Sequence, residues 1–460
     1  MARKVTVILA KAGIYTNIFI FIALAFTNFL GVLMPEFGFD ALWYHLTLSK
    51  LFLFKGQWYF PGGLFYYSSM PRLAELISLP LFQLFESSGP KFIQFTSGLI
   101  TSLLIYRLTN KLIAKKLLSL IAMNLFYATW LVSWQSSSAY VDLVRTLFEV
   151  SALYFLTSKP STVRWKLISG ICLGLSIGTK WHAIGSLFLF TIIFSPVVIL
   201  PALLIASPWF YVANHFTGNP VYPLFEKFMS QTQMAQVPAN FYSPLVILKR
   251  FLLAPVFITR PSEDFLSPVI GLVFILSILA LFSSKKLIRK ISLLGILGTF
   301  LLLLTPPPST RYYLPYMPAV IIAAIYVISK LKEKISIWLI ALFTISSFLI
   351  LSLRLIALAK YLPYLSGRVT LNQFLSGLSH RLPDTFIDTD DFVKNNLPPD
   401  AKYLISNLHN LYYFPYNFDH ESFADQNKRY DYLITKGVDP KEINGKLVHQ
   451  NKLGIQIFKL

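Results

Sequence analysis

Apolar runs long enough to cross a bilayer recur along this chain from residue 14 to residue 352, separated by short polar, basic or aromatic-rich connections. The pattern predicts helical spans near 14–34, 92–109, 117–134, 142–157, 167–179, 183–195, 197–213, 268–283, 291–305, 312–329 and 335–352, about eleven in all. Several are short for a ~30 Å hydrocarbon core. Beyond residue 353 the pattern changes to polar stretches broken by short apolar runs, which predict strands at 403–406, 432–435 and 455–458. Asp388-Thr389-Asp390 is placed to cap a helix running through Asn396 and stopping before Pro398-Pro399. The predicted fold is therefore a polytopic α-helical membrane protein with about eleven transmembrane helices and a small C-terminal extracytoplasmic α/β domain. Its expected division is 1–352, a membrane core including an outer loop 35–91, and 353–460, the α/β domain.

Composition agrees: 55% of residues are hydrophobic and the mean hydropathy is +0.58. The net charge of +20 would suit a nucleic-acid partner only if the basic residues gathered on a soluble region, and the one candidate, the tail, is rich in acidic residues too. The basic residues instead form clusters between apolar runs, at Arg107/Lys111/Lys115/Lys116, Lys159/Arg164/Lys166, Lys285/Lys286/Arg289/Lys290 and Lys330/Lys332/Lys334. With Arg3, Lys4 and Lys11 on the cytoplasmic side, all four clusters fall inside, as the positive-inside rule requires. The first apolar run is too long for a signal-peptide core and reads as an uncleaved span. The critical stretch is 183–213, where Ser195-Pro196 and Pro201 crowd two spans together; a single helix there would invert everything downstream. The lone Cys172 cannot form an intramolecular disulfide.

Four segments then face outward: 35–91, 135–141, 214–267 and the region after 353. The first opens with Gly38-Phe39-Asp40-Ala41-Leu42-Trp43-Tyr44-His45, continues in a helical pattern over 40–54, and passes Pro61-Gly62-Gly63 and Phe65-Tyr66-Tyr67 into a second apolar run, 73–85. Its aromatic content suits helices lying along the membrane surface. Asp40 has two compatible readings, an N-cap worth ~1 kcal/mol and a base at the outer mouth of a helical bundle. Tyr44, one turn on, either orients that carboxylate or anchors the interface. His45 beside Asp40 suggests a metal ligand, but a divalent ion needs several converging ligands, so no cofactor is expected. Asp142 either orients a substrate, caps the fourth span or pairs with Arg145 three residues on. Lys180, His182 and Arg311 sit at predicted outer span ends, where basic side chains either snorkel or meet an anion.

The order of these parts resembles the GT-C superfamily of membrane glycosyltransferases that use polyprenyl-phosphate sugars, in particular the branch of protein O-mannosyltransferases and the aminoarabinose transferases. Carrying the resemblance are Asp40 with Tyr44 in the first outer loop, Ala139-Tyr140-Val141-Asp142 in the second, Gly178-Thr179-Lys180 at a span end, Ser207-Pro208-Trp209, Gly218-Asn219-Pro220-Val221-Tyr222-Pro223, and Thr310-Arg311-Tyr312-Tyr313-Leu314-Pro315. Two departures are plain. Asp40 is followed by Ala41 where many relatives have a second acidic residue, and the glutamate-lysine-proline-proline segment of the aminoarabinose enzymes is absent. The resemblance implies an inverting transferase that moves a sugar from a polyprenyl-phosphate donor to a lipid, protein or glycan acceptor. Asp40 would be the base, Lys180 and Arg311 the phosphate ligands, and Tyr44, Asp142 and His182 further substrate contacts. A transporter or flippase of lipid-linked glycans would show a similar count of spans, but no repeated halves are visible; a non-catalytic scaffold would tolerate loss of Asp40.

Overall fold

The computed structural model describes residues 2–158, 162–225, 242–259, 267–305, 309–425 and 427–460. Lys159, Pro306-Pro307-Pro308 and parts of the outer segment 214–267 lie outside the described residues. The chain is mostly helical: α1 (Ala2–Val32), α2 (Leu46–Lys55), α3 (Leu73–Phe85), α4 (Ser88–Ile113), α5 (Lys116–Tyr127), α6 (Trp130–Gln135), α7 (Asp142–Ser158), α8 (Val163–Thr179), α9 (Ala183–Ile193) and α10 (Ile199–Thr217). Helices Pro244–Leu252, Ala254–Thr259, Ile270–Leu279, Lys286–Leu304, Met317–Ile328 and Glu333–Ala359 follow.

A helix occupies each predicted span. Among the described residues four helical stretches are long and apolar enough to cross a membrane, Lys11–Val32, Pro196–Thr217, Lys286–Leu304 and Glu333–Ala359, and shorter apolar helices such as Lys116–Tyr127 and Met317–Ile328 pack among them. The crowded stretch resolves into two helices, because Ser195 breaks the backbone into an extended conformation and its hydroxyl caps the turn Pro196–Val198. One predicted span is interrupted. Between α5 and α6, Thr129 is extended and its side chain accepts from Val132 N at 3.3 Å, starting a new helix where apolar periodicity predicted continuity over 117–134. Helix Met317–Ile328 is buried on nearly every side and forms the middle of the bundle.

Close helix approach rests on glycine. Gly170, Gly174 and Gly178 follow one another at four-residue spacing on α8, against α10. A side-chain carbon at Gly174 would stand 2.6 Å from Ala202 O and from the Ile205 side chain; one at Gly178 would stand 2.5 Å from the Trp209 indole nitrogen. Gly174→Val should therefore destabilise the bundle by about 1–3 kcal/mol, read as a lower melting temperature in detergent, whereas Ile171→Val on the outward face should leave it unchanged. Equal melting of both variants would rule out this account of the α8–α10 contact.

The C-terminal module is a five-stranded mixed sheet in the order β2-β1-β3-β5-β4. Its strands are β1 (Tyr403–Ile405), β2 (Phe418–His420), β3 (Tyr432–Lys436), β4 (Lys446–Gln450) and β5 (Ile455–Lys459). Strand β1 is parallel to β2 and β3, and β5 is antiparallel to β3 and β4. The predicted strands are β1, β3 and β5. Strand β2 reads Phe-Asp-His, with one apolar residue in three, and β4 is an exposed edge, so neither stands out as an apolar run. The predicted cap holds in part: the helix begins only at Phe392, after Asp391 at φ +57°, and the Asp388 carboxylate accepts from Lys394 N at 3.2 Å. The sheet shares its core with the outer loop, since Leu48 and Leu51 of α2 and Phe65 pack among Tyr403, Ile405, Phe414, Ile434 and Ile457.

Candidate active site

The segment bearing Asp40 is held from three directions. Glu36 is buried; its Oε1 accepts from Phe37 N (2.9 Å) and Gly38 N (2.7 Å), and its Oε2 accepts from Ala139 N in the second outer segment (2.6 Å). Lys91 of α4 donates to Met34 O. Tyr413 of the C-terminal module donates to Glu36 O at 2.6 Å. Just downstream the helix widens into a π turn, Ala41–His45, before α2 begins. Such turns recur at functional sites because they re-aim neighbouring side chains.

Asp40 stands at the start of that turn, yet its side chain makes no cap. Its backbone N–H donates to Tyr140 Oη (3.3 Å), and its Oδ2 receives Arg311 Nη1 at 2.5 Å and Tyr44 Oη at 3.5 Å. The helix-cap reading of Asp40 is thereby replaced by an ion pair that spans most of the sequence. Arg311 reaches it from the turn Thr310–Tyr313, which precedes the central helix, and its guanidinium lies 5.1 Å from the Tyr140 ring centre. Burial and the Asp40 carboxylate push the Tyr44 phenol well above its usual range, so Tyr44 is a hydrogen-bond donor at any physiological pH.

A second ion pair stands nearby. Asp142, at the first turn of α7, receives Lys180 Nζ on Oδ1 (2.8 Å) and Gln135 Nε2 on Oδ2 (3.1 Å). Lys180 follows the last residue of α8 and lies 5.1 Å from the ring centre of Tyr312, on whose other neighbour, His182, the same ring stacks at 4.0 Å. Burial and the Lys180 charge hold the His182 imidazole well below its usual range, so it is neutral. Asp142 does not pair with Arg145 as the three-residue spacing allowed. Arg145 donates to Glu149 Oε1 at 2.7 Å, one turn on, in a pair that is buried with Ser176, Ser186 and Tyr316.

The six residues singled out in the sequence thus form two neighbouring groups, Asp40, Tyr44 and Arg311 beside the Tyr140 ring and Asp142, Lys180 and His182 beside the Tyr312 ring, close enough for Arg311 to act on the Asp142 carboxylate. His45 turns away from Asp40 and pairs with Glu75 at 2.7 Å, with Arg72 alongside. Among the described residues no three His, Cys, Asp or Glu side chains converge as a metal site would require. Sequence reasoning missed Glu36, Glu75 and the Arg145–Glu149 pair. The available signal was an acidic residue embedded in each case in apolar surroundings, where charge is retained only with a partner.

No family model matches the sequence, and no curated protein matches it. Solved structures do. ArnT, the aminoarabinose transferase of Cupriavidus metallidurans, matches in its apo state with a TM-score of 0.65 at 14% identity, over 100% of this chain and 98% of that one. The same protein bound to undecaprenyl phosphate matches with a TM-score of 0.65 at 12% identity, over 96% and 97% of the two chains. The Archaeoglobus fulgidus oligosaccharyltransferase in complex with Zn and sulfate follows with a TM-score of 0.45 at 15% identity, over 83% of this chain and 60% of that one. From its first helix to its last strand, this chain has the fold of ArnT, as the resemblance in its sequence implies.

Proposed function

We propose that this protein is an inverting membrane glycosyltransferase that moves a sugar from a polyprenyl-phosphate donor to a hydroxyl-bearing acceptor on the outer side of the membrane. The observation that carries this reading is the meeting of Asp40–Arg311 and Asp142–Lys180 at one site beside aromatic rings. It holds a carboxylate for the proton of the nucleophile and two cations for a departing phosphate. The match to a structure of ArnT bound to undecaprenyl phosphate supports the donor class.

The acceptor oxygen attacks the anomeric carbon as its proton passes to Asp40. The carbon–oxygen bond to phosphate breaks on the opposite face, and the polyprenyl phosphate leaves with the bonding pair. One displacement inverts the anomeric centre. Lys180 and Arg311 meet the charge that grows on the departing phosphate, an interaction stronger in the transition state than before it. Tyr44 orients the Asp40 carboxylate, and Asp142 and His182 flank Lys180. The N-terminus lies in the cytoplasm and the C-terminal module outside, the arrangement that places the basic clusters inside.

The test is transfer of radiolabel from a panel of polyprenyl-phosphate sugars in host membrane vesicles. Label should enter one acceptor fraction, lipid, glycan or protein. Movement of intact donor across the bilayer without covalent transfer would replace this reading with a flippase, and no label in any fraction would remove it.

A further inference from the structure

The C-terminal module reaches the Asp40 segment at both of its ends. Tyr413 Oη holds Glu36 O at 2.6 Å, and Lys50 Nζ on α2 donates to Tyr412 O and Phe414 O at 3.1 and 2.7 Å. Between these two clasps the same loop presents His409. Its ring stacks on Phe39 with centres 4.9 Å apart, and lies 4.4 Å from the ring centre of Trp43. Phe39 precedes Asp40 and Trp43 follows it by three residues, so His409 sits over the backbone turn that presents the carboxylate.

Its position is built. His409 N donates to Asp384 O at 2.7 Å, and Nδ1 contacts Asn410 Oδ1 at 3.1 Å. Asn410 is fully buried and donates through Nδ2 to Thr385 Oγ1, which fixes its oxygen toward the imidazole. An amide oxygen only accepts, so Nδ1 carries the proton and Nε2 presents a lone pair. No hydrogen bond from Nε2 is present among the described residues, and the ring is part-exposed and near enough to Asp40 for that carboxylate to act on it. Burial lowers the basicity of His409, although the Asp384 and Asp40 carboxylates act in the opposite direction. The ring is thus a neutral acceptor. Phe39 beside it leaves 40% of its surface exposed, an apolar shelf next to that acceptor.

Resting on the transferase reading above, we infer that His409 is a specificity-determining residue for the acceptor: its Nε2 accepts a hydrogen bond from a second hydroxyl of the same acceptor whose nucleophilic hydroxyl faces Asp40, with the acceptor's carbon skeleton against Phe39. A sugar ring offers two neighbouring hydroxyls on an apolar-faced frame, and the acceptor class this points to is a glycan or glycolipid. A protein side chain brings only one hydroxyl to the site.

Two measurements decide this. In proteoliposomes of the full-length protein, with radiolabelled polyprenyl-phosphate sugar and a titrated host glycolipid fraction, His409→Ala should raise the half-saturating acceptor concentration about tenfold and leave that of the donor unchanged. His409→Gln, whose side-chain oxygen also accepts, should recover much of the loss. A change in the donor constant as large as in the acceptor constant, no change in either, or transfer to protein in place of glycolipid would overturn the inference. The second measurement needs no turnover. Carbethoxylation of His409 by diethylpyrocarbonate, followed by mass spectrometry, should be blocked by the glycolipid fraction and not by undecaprenyl phosphate or by host envelope protein. Absence of that protection overturns the role of His409, while protection without any sugar transfer by the wild type overturns the transferase reading alone.

Discussion

Asp40→Asn should lower sugar transfer by ~10²–10⁴-fold, the range that a positioned base contributes, with expression and melting temperature close to those of the wild type. The substitution keeps the shape of the side chain, the Tyr44 contact and the backbone bond to Tyr140 Oη. What it removes is the negative charge that accepts a proton and faces Arg311 at 2.5 Å. The pair is largely buried, with 17% and 18% of the two side chains exposed, but Arg311 keeps some water and the nearby Asp142 carboxylate as a second counter-charge, which limits the cost to the fold. Transfer is the quantity to measure, per mole of protein, at saturating donor and acceptor. Equal transfer by wild type and variant would reduce Asp40 to a partner of Arg311 and remove it as the base. A fall in transfer matched by a fall in melting temperature would assign it to structure.

Why Asp40 and Arg311 could be picked from sequence, and their pairing could not, follows from the physics of each. Charge in an apolar chain is expensive, so a carboxylate or cation at the end of a span announces a polar environment. Asp40, Asp142, Lys180 and Arg311 all carry that signal. Pairing carries none. Arg311 is 271 positions from Asp40, and only the packing of helix Met317–Ile328 in the middle of the bundle brings its preceding turn to the first outer loop. The spacing of Asp142 and Arg145 also allowed a pair that does not form, since a neighbour one turn away on the same helix competes with a partner from another helix. Lys180 wins Asp142 because α8 ends beside the start of α7, and Glu149 takes Arg145 below it.

The fold shows the same division. Helices α3 and α7 begin where the apolar runs begin, because burial of a continuous apolar stretch dominates other terms. The break at Thr129 leaves no mark in the apolar pattern because it depends on one hydroxyl finding Val132 N within a stretch that is apolar on both sides. In the tail, β1, β3 and β5 are legible by their buried apolar residues, whereas β4 has a Lys-Leu-Val-His-Gln sequence exposed along its length and is a strand only because β5 offers it hydrogen bonds. His409 is invisible in sequence. A single histidine in an aromatic loop has no pattern, and its relation to Asp40 comes from clasps formed by Tyr413 and Lys50 across more than 300 residues.

Lys180→Met should reduce transfer by ~10²–10³-fold, about 2.7–4 kcal/mol of lost stabilisation of the leaving phosphate, with a larger effect on turnover than on donor binding. Methionine keeps the unbranched stem of the side chain near Tyr312 and lacks the ammonium group, so the missing element is charge. The difficulty is Asp142, which is 1% exposed and would be left buried without its cation. Loss of stability, which could mimic loss of catalysis, is therefore separated by a cycle with Asp142→Asn. Asp142→Asn alone frees Lys180 from its 2.8 Å partner and leaves it available to phosphate; transfer should fall by less than for Lys180→Met. The double variant removes both charges, so its melting temperature should recover toward that of the wild type while its transfer stays as low as that of Lys180→Met alone. Recovery of both together would make the pair a structural bridge and nothing more. Recovery of stability without transfer separates the two roles of Lys180, for Asp142 in the resting site and for phosphate during the reaction, and it does so within the same four proteins.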